Sequence, residues 1–422
     1  MEHFVCNWSD TDRQYMQEAI ALAERGRGHT APNPMVGSVI VKDGRTIGRG
    51  YHHKYGDLHA ERDALASCTE DPAGATMYVT LEPCCHHGKQ PPCTEAILAA
   101  GIARVVVGAT DPNPLVGGKG IDILRAHGVA VEAGLLEDEI REQNRIFLKY
   151  ITTRRPWVAL KVAMTLDGKI ATADGDARWV TSEQARGFVH QLRGQLSGIC
   201  VGAGTVRADD PMLDCRAEGF KNPVRILPDS SASLSPDSRI AQSAGRIRTI
   251  LAHTGAATPA KLEQLRACGV ETLPCAARDG RIDLGDMLAQ LGALGIDSIL
   301  LEGGEALNGS FVEQDLVDEY YFFVAPKILG GKDAKTAVGG TGFAKMADAR
   351  GVRIESVRSF GPDLSSTDTR KTDKPCLQES SKKPARSVPS PPAAPAPPCA
   401  SPPTRSSKGP SSATASPSTA SA

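Results

Sequence analysis

At 422 residues the chain is long enough for two or three domains with ample burial. Its 48 Lys and Arg balance 49 Asp and Glu, a net charge of −1, so no basic excess argues for nucleic acid, and no apolar run reaches the ~18 residues needed to span a bilayer. The first residues, Met1-Glu2-His3-Phe4-Val5-Cys6-Asn7, lack the basic-then-apolar order of a secretion signal; the 11 cysteines are odd in number and partly clustered, which fits metal ligation in a reducing cytoplasm better than a disulfide framework.

The first predicted element is a helix capped by Ser9, with Asp12 in its first turn and Tyr15, Ala19, Leu22 and Ala23 on one face; Gly26 and Gly28 stop it. After Pro32-Asn33-Pro34-Met35-Val36-Gly37, a strand over 38–42, the turn Asp43-Gly44 and a return strand through Ile47 read as a hairpin. Gly50-Tyr51-His52-His53 leads to His59, and Ala60–Ser67 reads as a helix with His59 and Glu61 in its first turn. A strand over Met77–Leu81 delivers Cys84, and Pro92-Cys93-Thr94 opens a helix over Glu95–Ala100. Arg104–Val107, Ile121–His127 and Val129–Glu132 add strand, helix and strand, an alternation that predicts a three-layer α/β/α domain over residues 1–150.

The stretch His59-Ala60-Glu61, taken with Pro83-Cys84 and Pro92-Cys93, is the pattern of a zinc-dependent deaminase. One imidazole and two thiolates leave a fourth tetrahedral position open for water, as in catalytic zinc sites, and zinc lowers the pKa of such a water to roughly 7. Glu61 is then the proton carrier between attacking water and departing ammonia. His-x-Glu alone is a weak signal; the run Thr80-Leu81-Glu82-Pro83-Cys84-Cys85-His86-His87-Gly88-Lys89-Gln90-Pro91-Pro92-Cys93 is the stronger one. A structural zinc knot of Cys84, Cys85, His86 and Cys93 is the competing arrangement, but it leaves His59 and Glu61 without a role.

A second domain begins after Arg154-Arg155-Pro156 and is expected over residues 151–364. Trp157–Met164 reads as a buried strand with Lys161 inside it, and an unpaired buried lysine is costly, so Lys161 needs a partner. Thr181-Ser182-Glu183-Gln184 starts a helix to about Leu196; Gly198–Val201 is a strand ending in Gly202-Ala203-Gly204-Thr205; Ser298–Leu301 is a strand that breaks at Glu302-Gly303-Gly304 and enters a helix from about Ala306 to Val312. Glycines at a strand-to-helix junction let backbone amides approach a phosphate, though a tight turn needs them too. The lack of a Gly-x-Gly-x-x-Gly after an early strand argues against a Rossmann domain.

With these motifs in view, the chain resembles the bifunctional riboflavin-biosynthesis deaminase–reductase family over roughly residues 11–364. The deaminase likeness rests on Pro32-Asn33-Pro34-x-Val36-Gly37, Gly50-Tyr51-His52, His59-Ala60-Glu61, Thr80–Cys84 with His86-His87-Gly88, Pro91-Pro92-Cys93 and Asp111-Pro112-Asn113-Pro114. The wide spacing of Cys84 and Cys93 separates it from cytidine and tRNA deaminases; Cys85 departs from the small polar residue expected there. The reductase likeness rests on Lys161-x-Ala163-x-Thr165-Leu166-Asp167-Gly168, Trp179-Val180-Thr181-Ser182, Gly204-Thr205-Val206-x-Ala208-Asp209-Asp210-Pro211-x-Leu213, Glu302-Gly303-Gly304 and Ala325-Pro326-Lys327-x-Leu329-Gly330-Gly331.

The resemblance implies an α/β protein: a cytidine-deaminase-like domain followed by a dihydrofolate-reductase-like domain. It implies one Zn²⁺ on His59, Cys84 and Cys93, with Glu61 catalytic and Asn33 and His52 lining the pyrimidine pocket. It implies NADPH near Ala163, Trp179, Thr205, Asp209 and the turn Gly304, Glu305, Ala306, Leu307, Asn308, Gly309, Ser310. It implies substrate near Lys161, Ala177, Arg193, Leu213, Arg216 and Glu302, the two arginines suiting a ribose phosphate. The implied substrates are small pyrimidine ribosyl phosphates: a diaminopyrimidinone is deaminated, and the ribosylamino group of the product is reduced at C1′. A homo-oligomer is left open. The alternative reading is a deaminase of another base or nucleoside with a regulatory second domain.

The last segment, 365–422, is Ser-, Pro- and Ala-rich, without aromatic residues, and holds 12 of the 29 prolines with eight Lys/Arg against three Asp/Glu. Such a composition cannot offset its ordering entropy by burial, so the segment is expected to be disordered. Arg353–Phe360 resembles the family's approach to its final strand, but an apolar alternating strand after Leu364 is missing. Either the domain tolerates a shortened edge or the tail is a frameshifted reading of that strand.

Overall fold

The computed structural model describes residues 8–370 except 89, 114 and 115. The first half is built around the sheet order β2-β1-β3-β4-β5, from β1 (Gly37–Lys42), β2 (Arg45–Tyr51), β3 (Thr76–Leu81), β4 (Arg104–Ala109) and β5 (Ala130–Ala133). β1 runs antiparallel to β2 and β3, whereas β3, β4 and β5 are parallel. One face carries α2 (Ala60–Ala66), α3 (Cys93–Ala99) and α4 (Lys119–Ala126) over Ile40, Met77, Val79 and Val105; the other carries α1 (Asp10–Glu24), α5 (Glu137–Gln143) and α6 (Arg145–Thr153) over Val39, Tyr78 and Val106. This is the expected three-layer arrangement.

The local signals act as read. Ser9 Oγ accepts from Asp12 N at 3.0 Å while Ser9 N donates to the Asp12 carboxylate at 3.2 Å, a reciprocal cap on α1. Asp43 and Gly44 both take positive φ, the two-residue turn that matches strand twist, and Lys42 pairs with Arg45 across it. Gly37 and Gly50 let helices lie directly on the sheet: a Cβ would stand 1.9 Å from Ala19 O and 2.1 Å from Ala64 N respectively. Helices α5 and α6 carry the chain from the first sheet to the second.

The second half holds a nine-stranded sheet. Its strands are β6 (Trp157–Thr165), β8 (Gly198–Cys200), β9 (Val224–Pro228), β10 (Thr249–His253), β11 (Glu271–Pro274), β14 (Ser298–Leu301), β15 (Glu319–Ala325), β17 (Val352–Phe360) and β18 (Asp363–Arg370), in the order β11-β10-β9-β8-β14-β6-β15-β18-β17. Two small ribbons pair β7 (Lys169–Ala171) with β16 (Lys335–Thr336), and β12 (Ala277–Arg278) with β13 (Arg281–Ile282). Helices α7 (Glu183–Gln195), α8 (Ala203–Asp209), α9 (Arg239–Gln242), α10 (Pro259–Ala267), α11 (Leu284–Ala293) and α12 (Glu305–Glu313) complete it. α11 and α12 cover one face through Met287, Leu291 and Phe311; α7 covers the other through Ala185, Val189 and Leu192 against Phe323. The strands from β11 to β15 are mutually parallel, and β15, β18 and β17 are antiparallel.

The apolar alternating strand is indeed missing after Leu364, but the expectation of disorder from residue 365 is corrected, because a polar strand forms there. β18 pairs with β15 from Val324↔Leu364 to Glu319↔Thr369, and with β17 on its other side. The apolar alternation is absent because the buried side chains here are polar: Asp363, Ser365 and Asp368 are buried while Leu364 is 51% exposed. Backbone pairing with the edge of β15 makes the strand, and side-chain hydrogen bonds stand in for apolar packing. Asp363 accepts from Ser182 N at 2.6 Å, tying the β17–β18 turn to the start of α7, and Ser366 Oγ donates to Asp368 at 2.8 Å. Of the expected 365–422 tail, the first six residues are therefore strand, and 371–422 lie outside the described residues. Pro228 closes β9, where its missing N–H is tolerated.

Candidate active sites

His59 is the N-cap of α2 and makes no side-chain cap bond, so its ring is available elsewhere. Cys84 follows β3 across Glu82-Pro83, and Cys93 is the first residue of α3. Both sulfurs lie 3.4 Å from His59 Nδ1, and all three donor atoms fall within 4.8 Å of one another. Zinc bonds of about 2.0 Å to nitrogen and 2.3 Å to sulfur at tetrahedral angles would set N and S about 3.5 Å apart, so the donor set fits this metal. Cys93 N also donates to Cys84 Sγ at 3.4 Å, and Arg62 holds the loop by donating to the carbonyls of Pro91 and Pro92. Hydrogen bonds from the Cys93 thiol and the His59 ring lower the pKa of Cys84, while the same contact with Cys84, together with burial, raises that of Cys93. Cys85 and His86 are not part of this converging donor group.

Glu61 lies in the first turn of α2, 3% exposed, and its burial pushes the carboxyl up to about 7. His52 is buried with its ring edge-on to His59 at 5.5 Å. Its Nδ1 must donate to Leu58 O (2.9 Å), since a carbonyl only accepts; Nε2 then accepts from Asn33 Nδ2 at 3.2 Å. Burial lowers the His52 pKa, which keeps this neutral tautomer. Asn33, His52, His59, Glu61, Cys84 and Cys93 thus form one cluster.

In the second half, Glu302 gathers the cations. Arg193 donates to both of its oxygens at 2.6 and 3.1 Å, and Lys161 Nζ donates at 3.1 Å. Lys161 has the partner that its place in an apolar strand demanded. Arg193 Nη1 reaches Asp214 O at 3.1 Å, so the guanidinium is fixed by protein acceptors rather than standing free. Arg216 is largely exposed beside Asp214 in the same loop, which also carries the buried Leu213.

Gly304 is the N-cap of α12, and a Cβ there would sit 3.5 Å from Thr205 Oγ1, so the start of α12 lies close to Thr205. Gly304–Ser310 is not a turn but this N-cap and the first helical turns. Asn308 and Gly309 are buried, the amide of Asn308 donating to Ala337 O at 2.9 Å; Glu305 accepts from Thr336 N at 3.0 Å; Ser310 donates to Ala306 O at 3.0 Å; and Leu307 packs on the core beneath. Ala163 is half-buried on β6 and Ala177 half-buried in the loop before Trp179. The Trp179 indole is 62% exposed with Arg186 4.3 Å above it, and Asp209 ends α8 beside Arg178. An exposed ring and a helix that starts at a glycine N-cap fit a phosphate-bearing nucleotide with a flat ring system.

Residues 156–366 match the RibD C-terminal domain family, and residues 9–109 match the cytidine and deoxycytidylate deaminase zinc-binding region. The riboflavin biosynthesis protein RibD of Actinobacillus pleuropneumoniae is 49% identical over 354 residues, covering 84% of this chain and 94% of the relative. The chain belongs to the RibD family. The RibD of Escherichia coli is 42% identical over 366 residues, covering 84% and 98%. Among solved structures, Acinetobacter baumannii RibD aligns with a TM-score of 0.78 at 36% identity over 86% of this chain and 99% of that one. A Thermotoga maritima deaminase/reductase aligns with a TM-score of 0.75 at 37% identity, covering 86% and 99%. As a RibD-family protein, the chain is a bifunctional enzyme of riboflavin biosynthesis, a zinc-dependent deaminase joined to an NADPH-dependent reductase; the second half is a reductase and not a regulatory domain. Among the described residues, no helix is long and apolar enough to cross a membrane.

Sequence reasoning passed over several residues that build this RibD site. Glu82 is a buried carboxylate that accepts from the backbone N–H groups of Asp111, Gly118, Gly120 and Ile121 at 2.9–3.3 Å, which ties Asp111 and the start of α4 to the end of β3 beside Cys84. A charged residue directly after an apolar strand and two places before a ligand was the available signal. Asn144 makes a two-way pair with the backbone of Met35 at 2.8 and 2.9 Å, steadying the Asn33 segment from 109 positions away, and local pattern carries no trace of it. A cavity of about 440 Å³ between α8 and residues 233–238, walled by Arg207, Asp229 and Ser233, was likewise not foreseen.

Proposed function

We propose that the first half deaminates a diaminopyrimidinone ribosyl phosphate at His59, Cys84, Cys93 and Glu61, and that the second reduces the product, 5-amino-6-(5-phosphoribosylamino)uracil, beside Glu302 and Gly304. Convergence of one imidazole nitrogen and two thiol sulfurs next to a buried carboxyl is the observation that carries this reading. Bound zinc supplies activated water at neutral pH. Glu61 takes a proton from water and returns it to the leaving amine, a role suited to a carboxyl near neutrality. The Asn33 amide, oriented by neutral His52, presents a hydrogen-bonding edge to the pyrimidinone.

Bound NADPH supplies hydride to C1′. The start of α12 would hold its phosphates, Trp179 and Ala163 would border the reacting ring, Thr205 and Asp209 would flank the nucleotide, and the cavity beside α8 would take the adenosine end. Arg216 supplies an open cation for the substrate phosphate, and Arg193, locked by Glu302, a fixed one. Ala177 and Leu213 border the uracil. The near-neutral charge balance supports a small-molecule substrate over nucleic acid, and the free thiols among the described residues suit a reducing cytoplasm.

The test is to assay the purified chain on the pyrimidine phosphate with and without NADPH, and with and without a zinc chelator. Ammonia release should need zinc alone, and NADPH oxidation should follow deamination. With pre-deaminated substrate, NADPH oxidation should survive chelation. Ammonia release that persists without zinc would refute the metal assignment.

A further inference from the structure

The reductase's substrate loop is held partly by the deaminase half. Residues 210–223 link α8 to β9 without regular structure, an unusual length for a connection inside a domain and one that commonly marks function. From the reductase side, Arg225 donates to Met212 O at 3.3 Å and Arg193 donates to Asp214 O at 3.1 Å, while within the loop Cys215 N donates to Asn222 Oδ1 at 2.9 Å. At its far end Phe220 leaves this framework. Its ring stacks on His29 of the deaminase half, with centroids 5.6 Å apart and planes within 6°.

Two glycines make room for that ring. A Cβ on Gly194, the residue after Arg193, would lie 2.4 Å from Phe220 Cβ; a Cβ on Gly28 would lie 2.7 Å from the ring. Phe220 is therefore wedged between α7 of the reductase and the 28–29 backbone of the deaminase. The deaminase side of the wedge is itself anchored: His29 O accepts from Tyr55 N at 3.2 Å, and Thr30, buried next to it, accepts from Asn33 N at 2.8 Å. Arg216 sits four positions before Phe220 and is 64% exposed, its ion pair made with Asp214 of the same loop. The path of the loop, rather than packing of the side chain, decides where that guanidinium stands.

We infer that Phe220, seated on His29, positions the 213–216 stretch of the reductase, so that the deaminase half completes the reductase's phosphate-binding loop. Phe220 and His29 are positioning residues, and the inference rests on the role proposed above for Arg216. It predicts a split between kinetic constants. A looser loop weakens capture of the phosphate-bearing substrate and leaves hydride transfer from bound NADPH intact.

The experiment uses the full, zinc-loaded chain, with pre-deaminated substrate and NADPH. Phe220→Ala and His29→Ala should each raise the reductase KM for the pyrimidine phosphate about 2- to 10-fold, the range that loss of one aromatic pair allows. The KM for NADPH, kcat and zinc content should stay at the wild-type level, and His29→Phe, which keeps a stacked ring, should restore the substrate KM. If Phe220→Ala fails to fold, His29→Ala still decides, because it removes the stack from the other half. A wild-type substrate KM in His29→Ala overturns the inference, whether or not Phe220→Ala is affected. A wild-type chain that does not reduce this substrate at all would instead refute the proposed reductase site, which keeps the two failures apart.

Discussion

Glu302 is the group whose loss the second half should tolerate least. Its carboxylate is 9% exposed and holds Lys161 and Arg193, each 16% exposed, with three charge-assisted hydrogen bonds. Burial raises its pKa, but Arg193 and then Lys161 more than offset this and hold the carboxyl well below the usual carboxylate range. In Glu302→Gln two buried cations lose their counter-charge. Removing one partner of a buried pair costs about 3–5 kcal/mol. A domain of 150–250 residues loses about 2–4 °C of melting temperature per kcal/mol, so the reductase transition should fall by roughly 6–20 °C. Because the folded carboxyl is depressed below its unfolded value of about 4.3, its contribution is fully present above that pH and is lost as pH falls through the folded value. The gap between wild type and variant should therefore hold steady from about pH 8 to 5 and begin to narrow only below about pH 4. Thermal denaturation of zinc-loaded protein without NADPH reads this directly. A melting loss under about 2 °C at neutral pH, equivalent to 1 kcal/mol or less, would show that the triad does not hold the fold.

Metal analysis should find about one zinc per chain; Cys84→Ser and His59→Ala should lose it, whereas Cys85→Ser should keep it, and the reverse result would reassign the ligands. Glu61→Gln should retain zinc but deaminate at least roughly 10²-fold more slowly, with reduction of pre-deaminated substrate unchanged; near-normal ammonia release would remove Glu61 from proton transfer. A chain ending at Arg370 should keep both activities, while one ending at Leu364 loses the pairing of 365–369 with β15 and should show a lower reductase melting point. Equal melting of the two truncations would mean that β18 contributes nothing to the sheet.

The sequence alone determined what is written locally. The Ser9 cap, the Asp43-Gly44 hairpin and the 3.6-residue and two-residue periodicities each rest on neighbours a few positions apart. The convergence of His59, Cys84 and Cys93 was legible in the same way, because zinc chemistry restricts its ligands to few residue types. Lys161 was legible as a residue that must have a partner, but not the identity of that partner.

Only the tertiary structure decided which distant groups meet. Glu302 lies 141 positions from Lys161 and 109 from Arg193, and it is the parallel sheet order that sets β14 beside β6 with α7 packed on their face. Glu82, Asn144 and the seat of Phe220 on His29 were invisible for the same reason: each works through backbone groups or rings supplied by remote segments. β18 escaped notice because its strand character comes from pairing with β15, not from an apolar alternation of its own. Propensity and pattern report what a segment prefers alone; an open sheet edge, or a buried charge in search of its counter-ion, imposes a structure that the segment's own composition does not contain.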